Sequence, residues 1–330
     1  MVTTIDWDAA RTAEVLRYPT DDDDKYSRGV VGMVTGSEEY PGAAVLGVEA
    51  AWRAGTGMVR YLGDPRPAGL VLARRPETVT APGRVQAWVV GSGTDAASRS
   101  PVETERLRRI LFGDVPVVVD AGALDLVIGA TAPLVLTPHA RELDRVRDLL
   151  GLARAGAHAA EDERVVAVRE TAARLGAVVL LKGAATLVAD PEGTVRRVHA
   201  GTPWLATAGT GDVLAGAIGA VVAGAAAGRA DGTGAAGGFA DRTGAAAGHA
   251  DGTGAAGGLA DGTDAAGGHA DGTDAAGWLA DAAAAGAWLH GRAAVHAALR
   301  FGAAGGPITA LDVAEALPFA FALAGGRAGM

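Results

Sequence analysis

Four consecutive residues, Gly209-Thr210-Gly211-Asp212, bring the parts of a phosphoryl-transfer site into one turn. Two glycines let backbone N–H groups turn toward one point, and a helix beginning near Asp212 would add the positive end of its dipole. The result is an anion hole for a phosphoryl group in transit, with a carboxylate beside it that can take a proton from an attacking hydroxyl. The same residues also suit an ordinary helix start, with Asp212 as N-cap and the glycines as a tight turn. Other loops weigh toward the chemical reading. Lys182-Gly183-Ala184-Ala185-Thr186 follows an apolar run and can cradle a nucleotide phosphate or ribose. Thr137-Pro138-His139 and Gly91-Ser92-Gly93-Thr94 each follow another such run, so His139, Gly93 and Asp212 are expected to face one cleft. A lone histidine at a strand end is usually a hydrogen-bonded surface residue; its membership in this set singles it out.

The elements that must position these loops alternate between short β-branched runs and amphipathic stretches. Strands are predicted over 30–35, 57–62, 87–90, 115–120, 134–136 and 177–181, with a hairpin through Asp190-Pro191-Glu192-Gly193. Helices are predicted over 42–54, 103–112, 141–150 and 162–174. Strand and helix in alternation imply an α/β fold: a mostly parallel central sheet with helices on both faces, in a single domain. Ligands of such sheets gather beyond the carboxyl ends of the strands.

Composition narrows the function classes. The formal charge of −9 argues against a nucleic acid or an anionic membrane as partner. Cysteine is absent, which excludes disulfides, thiolate catalysis and Cys-ligated metals. The first 24 residues, read as a separate N-terminal segment, lack the apolar stretch of a secretory signal. No window reads as a membrane span free of small or charged interruptions, so a cytoplasmic enzyme is expected. Residues 231–280 form a tandem decapeptide repeat of the type DGTGAAGGLA. The ninth position of its blocks varies among Phe, His and Leu, and glycine disfavours helix, so 224–280 is expected to be a disordered insert. The domain is then expected to comprise 25–223 and 281–323.

Tyr26-Ser27-Arg28-Gly29, Gly36-Ser37, Tyr40-Pro41-Gly42-Ala43-Ala44 and Arg53-Ala54-Gly55-Thr56-Gly57-Met58-Val59 together resemble the opening of the ADP-dependent NAD(P)H-hydrate dehydratases, members of the ribokinase-like superfamily. Val119-Asp120-Ala121-Gly122-Ala123-Leu124, Leu136-Thr137-Pro138-His139, Leu181-Lys182-Gly183 and Gly209-Thr210-Gly211-Asp212 follow in the family's order. The resemblance covers about residues 25–223 and resumes around Leu289-His290-Gly291. It implies a ribokinase-like fold and the repair of hydrated NADH or NADPH. In this reaction ADP (ATP in some members) phosphorylates the ring hydroxyl, then phosphate leaves, giving AMP, phosphate and NAD(P)H. Carried over by position, Ala43, Gly93 and His139 would contact the hydrated dinucleotide. Lys182, Gly183, Ala184, Ala185, Thr186 and Gly211 would contact the nucleotide. Asp212 would be the base that meets the substrate hydroxyl, and magnesium would shield the phosphates. The resemblance further suggests a homotetramer.

Five positions depart from the family's pattern: Ser92 stands for Pro, Gly122 for Asp, Asp125 for Asn, Arg141 for Gly and Thr210 for Ser. The family's separate epimerase domain is not seen, which implies action on one epimer. Two other readings remain open. One is a kinase of the same superfamily acting on a vitamin precursor such as a hydroxymethylpyrimidine. The other is a dinucleotide-binding oxidoreductase or regulator, on the strength of Gly91-Ser92-Gly93-Thr94-Asp95-Ala96 as a G-x-G-x-x-A loop.

Overall fold

Runs of valine and leucine that are buried on both sides dictate the architecture. Such runs lack in/out alternation, which is the composition of strands covered by helices on both faces. The computed structural model describes residues 3–230 and 272–326. Its sheet holds β1 (Thr4–Trp7), β2 (Val30–Val34), β3 (Met58–Tyr61), β4 (Ala87–Val90), β5 (Val117–Val119), β6 (Leu134–Leu136), β7 (Val178–Leu181), β8 (Thr186–Ala189) and β9 (Val195–Val198). The strand order is β1-β9-β8-β7-β6-β5-β4-β2-β3. Pairing is parallel throughout except at β8, which runs antiparallel to both β7 and β9. The hairpin expected at Asp190–Gly193 is the β8–β9 connection.

Helices cover the two faces unequally. On one side lie α1 (Ala9–Val15), α2 (Pro41–Arg53), α3 (Pro65–Arg74), α7 (Thr210–Ala230), α8 (Gly272–Leu299) and α9 (Ala310–Ala324). Val31, Met33, Val89, Val118, Val135 and Val178 project into their core. The opposite face carries α4 (Pro101–Leu111), α5 (Ala140–Leu149) and α6 (Glu161–Leu175), packed on Val90, Val117, Val119, Leu136, Val179 and Leu181. α7 is long and apolar enough to cross a membrane by length and composition, although glycines and alanines interrupt it throughout. It is instead the central core helix, with 78% of its apolar window buried inside the fold.

Small residues let that helix sit deep. A side chain added at Gly216 would collide with the Gly47 backbone, so α7 and α2 cross at backbone distance. This crossing brings the first turn of α7 beside the first half of α2.

Two boundaries differ from those expected. Residues 1–24 are not a segment apart from the domain: β1 pairs in parallel with β9, and Asp8 caps α1 by accepting from Arg11 N–H. A short strand buried on one side gave no clear period in the sequence. The interruption between helices is also narrower than 224–280, because α7 runs on to Ala230 and α8 starts at Gly272. Their alanine and glycine content resembles that of the repeat, which hid where helix ends. The expectation of disorder is overturned by helix at 224–230 and 272–280, and its remainder, 231–271, lies outside the described residues.

Candidate active site

The carboxyl ends of β4, β5, β6 and β7 lead directly into the loops singled out by residue type. Their meeting point is Asp120, the residue after β5, whose side chain is 4% exposed. Its Oδ2 accepts from Ser92 Oγ at 2.9 Å, and its Oδ1 accepts from Thr137 Oγ1 at 2.9 Å and from Lys182 Nζ at 2.9 Å. One buried carboxylate therefore ties three loops together. Ser92 is also where the family pattern has proline, so the departure supplies a hydroxyl that this chain uses.

Lys182 follows β7, its backbone N–H bonded to Pro138 O at 2.9 Å. Its ammonium reaches Glu142 Oε2 at 3.7 Å as well as Asp120. Burial alone would lower its pKa, but Asp120 and Glu142 outweigh that and hold it above the ordinary lysine value. A Cβ at Gly211 would lie 3.7 Å from Lys182 Nζ, so the cation sits against the start of α7.

That start has the expected form. Gly209 takes a positive φ of 88°, and Asp212 and Val213 N–H both donate to Gly209 O. The chain thus turns into α7 with Gly211 and Asp212 in the first turn, and the Gly211 N–H is among those the helix itself does not satisfy. Asp212 is half-buried beside Lys182. Its pKa is raised to about 7, first by burial and then by the charge of Asp120, with Lys182 pulling the other way. A carboxylate poised near neutrality at an anion hole can act as a general base.

The remaining positions fall into two groups. Gly93 has φ of 66°, and a side chain there would collide with Ala43 Cβ on α2. The two are therefore in contact beside Ser92 and Asp120. His139 is the N-cap of α5, with Glu142 N–H donating to Nδ1 at 3.3 Å and His139 N–H donating to Glu142 Oε2 at 2.8 Å. Its side chain is half exposed and joins the cluster through Glu142, which faces Lys182. Gly183, Ala184 and Ala185 turn the β7–β8 connection, and Thr186 opens β8. The guanidinium of Arg164 on α6 lies against Gly183.

Several contributors were not singled out by sequence reasoning. Asp120 stands at a strand end and in a family motif but with no role assigned, and Glu142 only within a predicted helix. A charged residue directly after a buried strand is the available signal for Asp120; nothing local signals Glu142. His290 of α8 is also buried here, hydrogen-bonded to the Thr210 backbone. The departures from the family pattern are accommodated. Gly122 has no room for a side chain against the Thr94 carbonyl, and Arg141 is exposed. The G-x-G-x-x-A reading fails on geometry: residues 91–100 form turns and α4 begins only at Pro101, so no helix start faces that loop.

The sequence model of the NAD(P)H-hydrate dehydratase family matches residues 31–257. The bifunctional NAD(P)H-hydrate repair enzyme Nnr of Mycobacterium tuberculosis is 49% identical over 215 residues, which is 61% of this chain and 42% of that relative. The ADP-dependent (S)-NAD(P)H-hydrate dehydratase of Neisseria meningitidis is 37% identical over 235 residues, 65% of this chain and 76% of that one. Among solved structures, the ADP/ATP-dependent NAD(P)H-hydrate dehydratase of Bacillus subtilis, co-crystallized with ATP and Mg2+, superposes with a TM-score of 0.70 at 21% identity. The match covers 97% of this chain and 98% of that one. A ribokinase-like superfamily protein of Enterococcus faecalis gives a TM-score of 0.68 at 19% identity, covering 97% and 96%. The fold is thus ribokinase-like. The chain spans less than half the length of the bifunctional relatives it matches. Family pattern, anion-hole turn and strand-end loops converge on one conclusion: this chain belongs to the NAD(P)H-hydrate dehydratase family.

Proposed function

We propose that the chain is an ADP-dependent (S)-NAD(P)H-hydrate dehydratase, a carbon–oxygen lyase that restores NADH or NADPH from its hydrate. The observation that carries this reading is Asp212: a half-buried carboxylate with a pKa raised to about 7, in the first turn of α7 and beside Lys182. Asp212 accepts the proton of the ring hydroxyl as its oxygen attacks the terminal phosphorus of ADP, and AMP leaves. The ring then loses phosphate, a neighbouring carbon gives up a proton, and the double bond returns. Gly211 N–H and Lys182 balance the charge that grows on the transferred group. Gly183, Ala184, Ala185 and Thr186 hold the rest of the nucleotide.

Ala43, Gly93 and His139 receive the hydrated dinucleotide on the other side of Asp212. The contact between Gly93 and Ala43 leaves flat backbone there, suited to a ring approaching closely. The name of the Neisseria relative and the ATP and Mg2+ of the Bacillus crystal support the choice of co-substrates. Among the described residues no three His, Asp or Glu side chains cluster as a metal cage. That fits an ion carried mainly by nucleotide phosphates and water, with Asp212 the adjacent carboxylate. Bound magnesium would shield the phosphate charges. A homotetramer in the cytoplasm completes the proposal.

Asp212→Asn tests it. The amide keeps the shape and caps a helix about as well as aspartate. Nucleotide affinity should hold while kcat falls by about 10²–10⁴-fold, the range of lost general-base catalysis. A kcat within about threefold of wild type would make Asp212 a cap and remove the base from the mechanism.

A further inference from the structure

The peptide that joins Thr210 to Gly211 has its carbonyl on one residue and its N–H on the other. Being planar and trans, it points the two in opposite directions, so whatever holds the carbonyl aims the N–H. His290 lies behind this peptide. It is buried on α8, hydrogen-bonded to the Thr210 backbone and within electrostatic reach of Lys182. Its Nε2 has no hydrogen-bond partner among the described residues, an uncommon state for a buried polar atom. Packing alone would be served as well by leucine, without burying an unpaired polar atom at about 1–3 kcal/mol. Burial keeps the imidazole neutral, with its pKa lowered to about 4, and Lys182 acts in the same sense. Close packing fixes where α8 stands: a side chain at Gly286 would meet Ile218 Cα of α7 at 2.8 Å, and one at Gly291 would meet the Ala200 backbone at 2.8 Å.

We propose that His290 is a positioning residue that holds the Thr210 carbonyl and so aims Gly211 N–H at the phosphoryl group in transit. A hydrogen bond accepted at the carbonyl also polarises the peptide and strengthens its N–H as a donor. The proposal rests on the anion-hole reading above and adds a residue that touches neither substrate nor nucleotide.

His290→Leu, His290→Asn and His290→Gln test it; the two amides return a donor at one or the other ring-nitrogen position. The Gly211 amide is observed by NMR with ¹³C-carbonyl threonine and ¹⁵N-glycine labelling, with and without ADP and magnesium, alongside kcat and folded fraction. The wild-type Gly211 signal should move on adding ADP. In His290→Leu that response should shrink and kcat fall about 10–100-fold, the scale of a small misplacement in an active site. ADP affinity should change less than about threefold, and one of the amides should restore most of both readouts. The proposal is overturned if the wild-type signal does not respond to ADP. It is equally overturned if His290→Leu matches wild type, or if neither amide improves on leucine. A normal Gly211 response without any turnover of hydrate would contradict the proposed activity and leave the role of His290 standing on the NMR result.

Discussion

At the scale of single residues, the site holds one carboxylate with a raised pKa, Asp212, and one ammonium kept charged, Lys182. As the proposed base, Asp212 would work only when ionised, so kcat should rise with pH through an inflection near 7 and level off above it. Asp120 contributes to that raised value by its negative charge. Asp120→Asn should therefore move the inflection to lower pH while lowering the plateau, because Lys182, Ser92 and Thr137 lose their common acceptor. An inflection that stays in place in a folded Asp120→Asn would refute the electrostatic link. Stability should follow the opposite course. The folded value of Asp212 lies above its ordinary 3.8, so its protonated form favours the fold. That contribution is full below about pH 4 and lost as pH rises through about 7, amounting to at most about 4 kcal/mol. Asp212→Asn should accordingly raise Tm above pH 7 and change it little in acid, which a pH series of melting curves will read. The sequence made Asp212, Lys182 and the Ala43–Gly93 pair legible because each sits in a motif of small residues at a strand or helix end. Glu142 and His290 act through partners tens of residues away, and no local spacing encodes that.

At the scale of elements, the site depends on how closely α7 and α2 approach. Ala43 begins α2 and Asp212 begins α7, and the Gly216–Gly47 crossing sets the distance between them. Gly216→Ala forces a methyl into the Gly47 backbone. Overpacking of this kind costs about 1–3 kcal/mol, so Tm should drop despite alanine's better helix propensity. The shift should also raise KM for the hydrate more than KM for ADP, since the proposed hydrate site includes Ala43. A Tm at or above wild type would show that the helices have room to spare. The strands and the helices over 42–54, 103–112, 141–150 and 162–174 were readable from period and composition to within a few residues. β1 was not, being four residues of unremarkable pattern at a sheet edge. α3 and α9 were also missed: prolines stand at Pro65, Pro67 and Pro318, where they read as breaks. In α3 they occupy the first turn, which proline tolerates.

For the whole molecule, the fold brings loops from four parallel strands and the start of one core helix to a single edge. α7 ends just before the decapeptide repeat and α8 starts inside its last block, yet the two helices pack on each other through Ile218 and Gly286. The helix pair is thus built by residues on either side of the repeat, and its similar composition is why the sequence blurred both ends. The shared superfamily fold is compatible with a kinase as well as a dehydratase, and substrate choice separates them. The most direct test offers the purified full chain (S)-NADH hydrate and, in parallel, a hydroxymethylpyrimidine, each with ADP or ATP and magnesium. Absorbance of the reduced nicotinamide should return from the hydrate, one phosphate released per molecule restored, and only when nucleotide and magnesium are both present. Hydrate that persists with every nucleotide, or is restored equally without nucleotide and after chelation, would contradict the account.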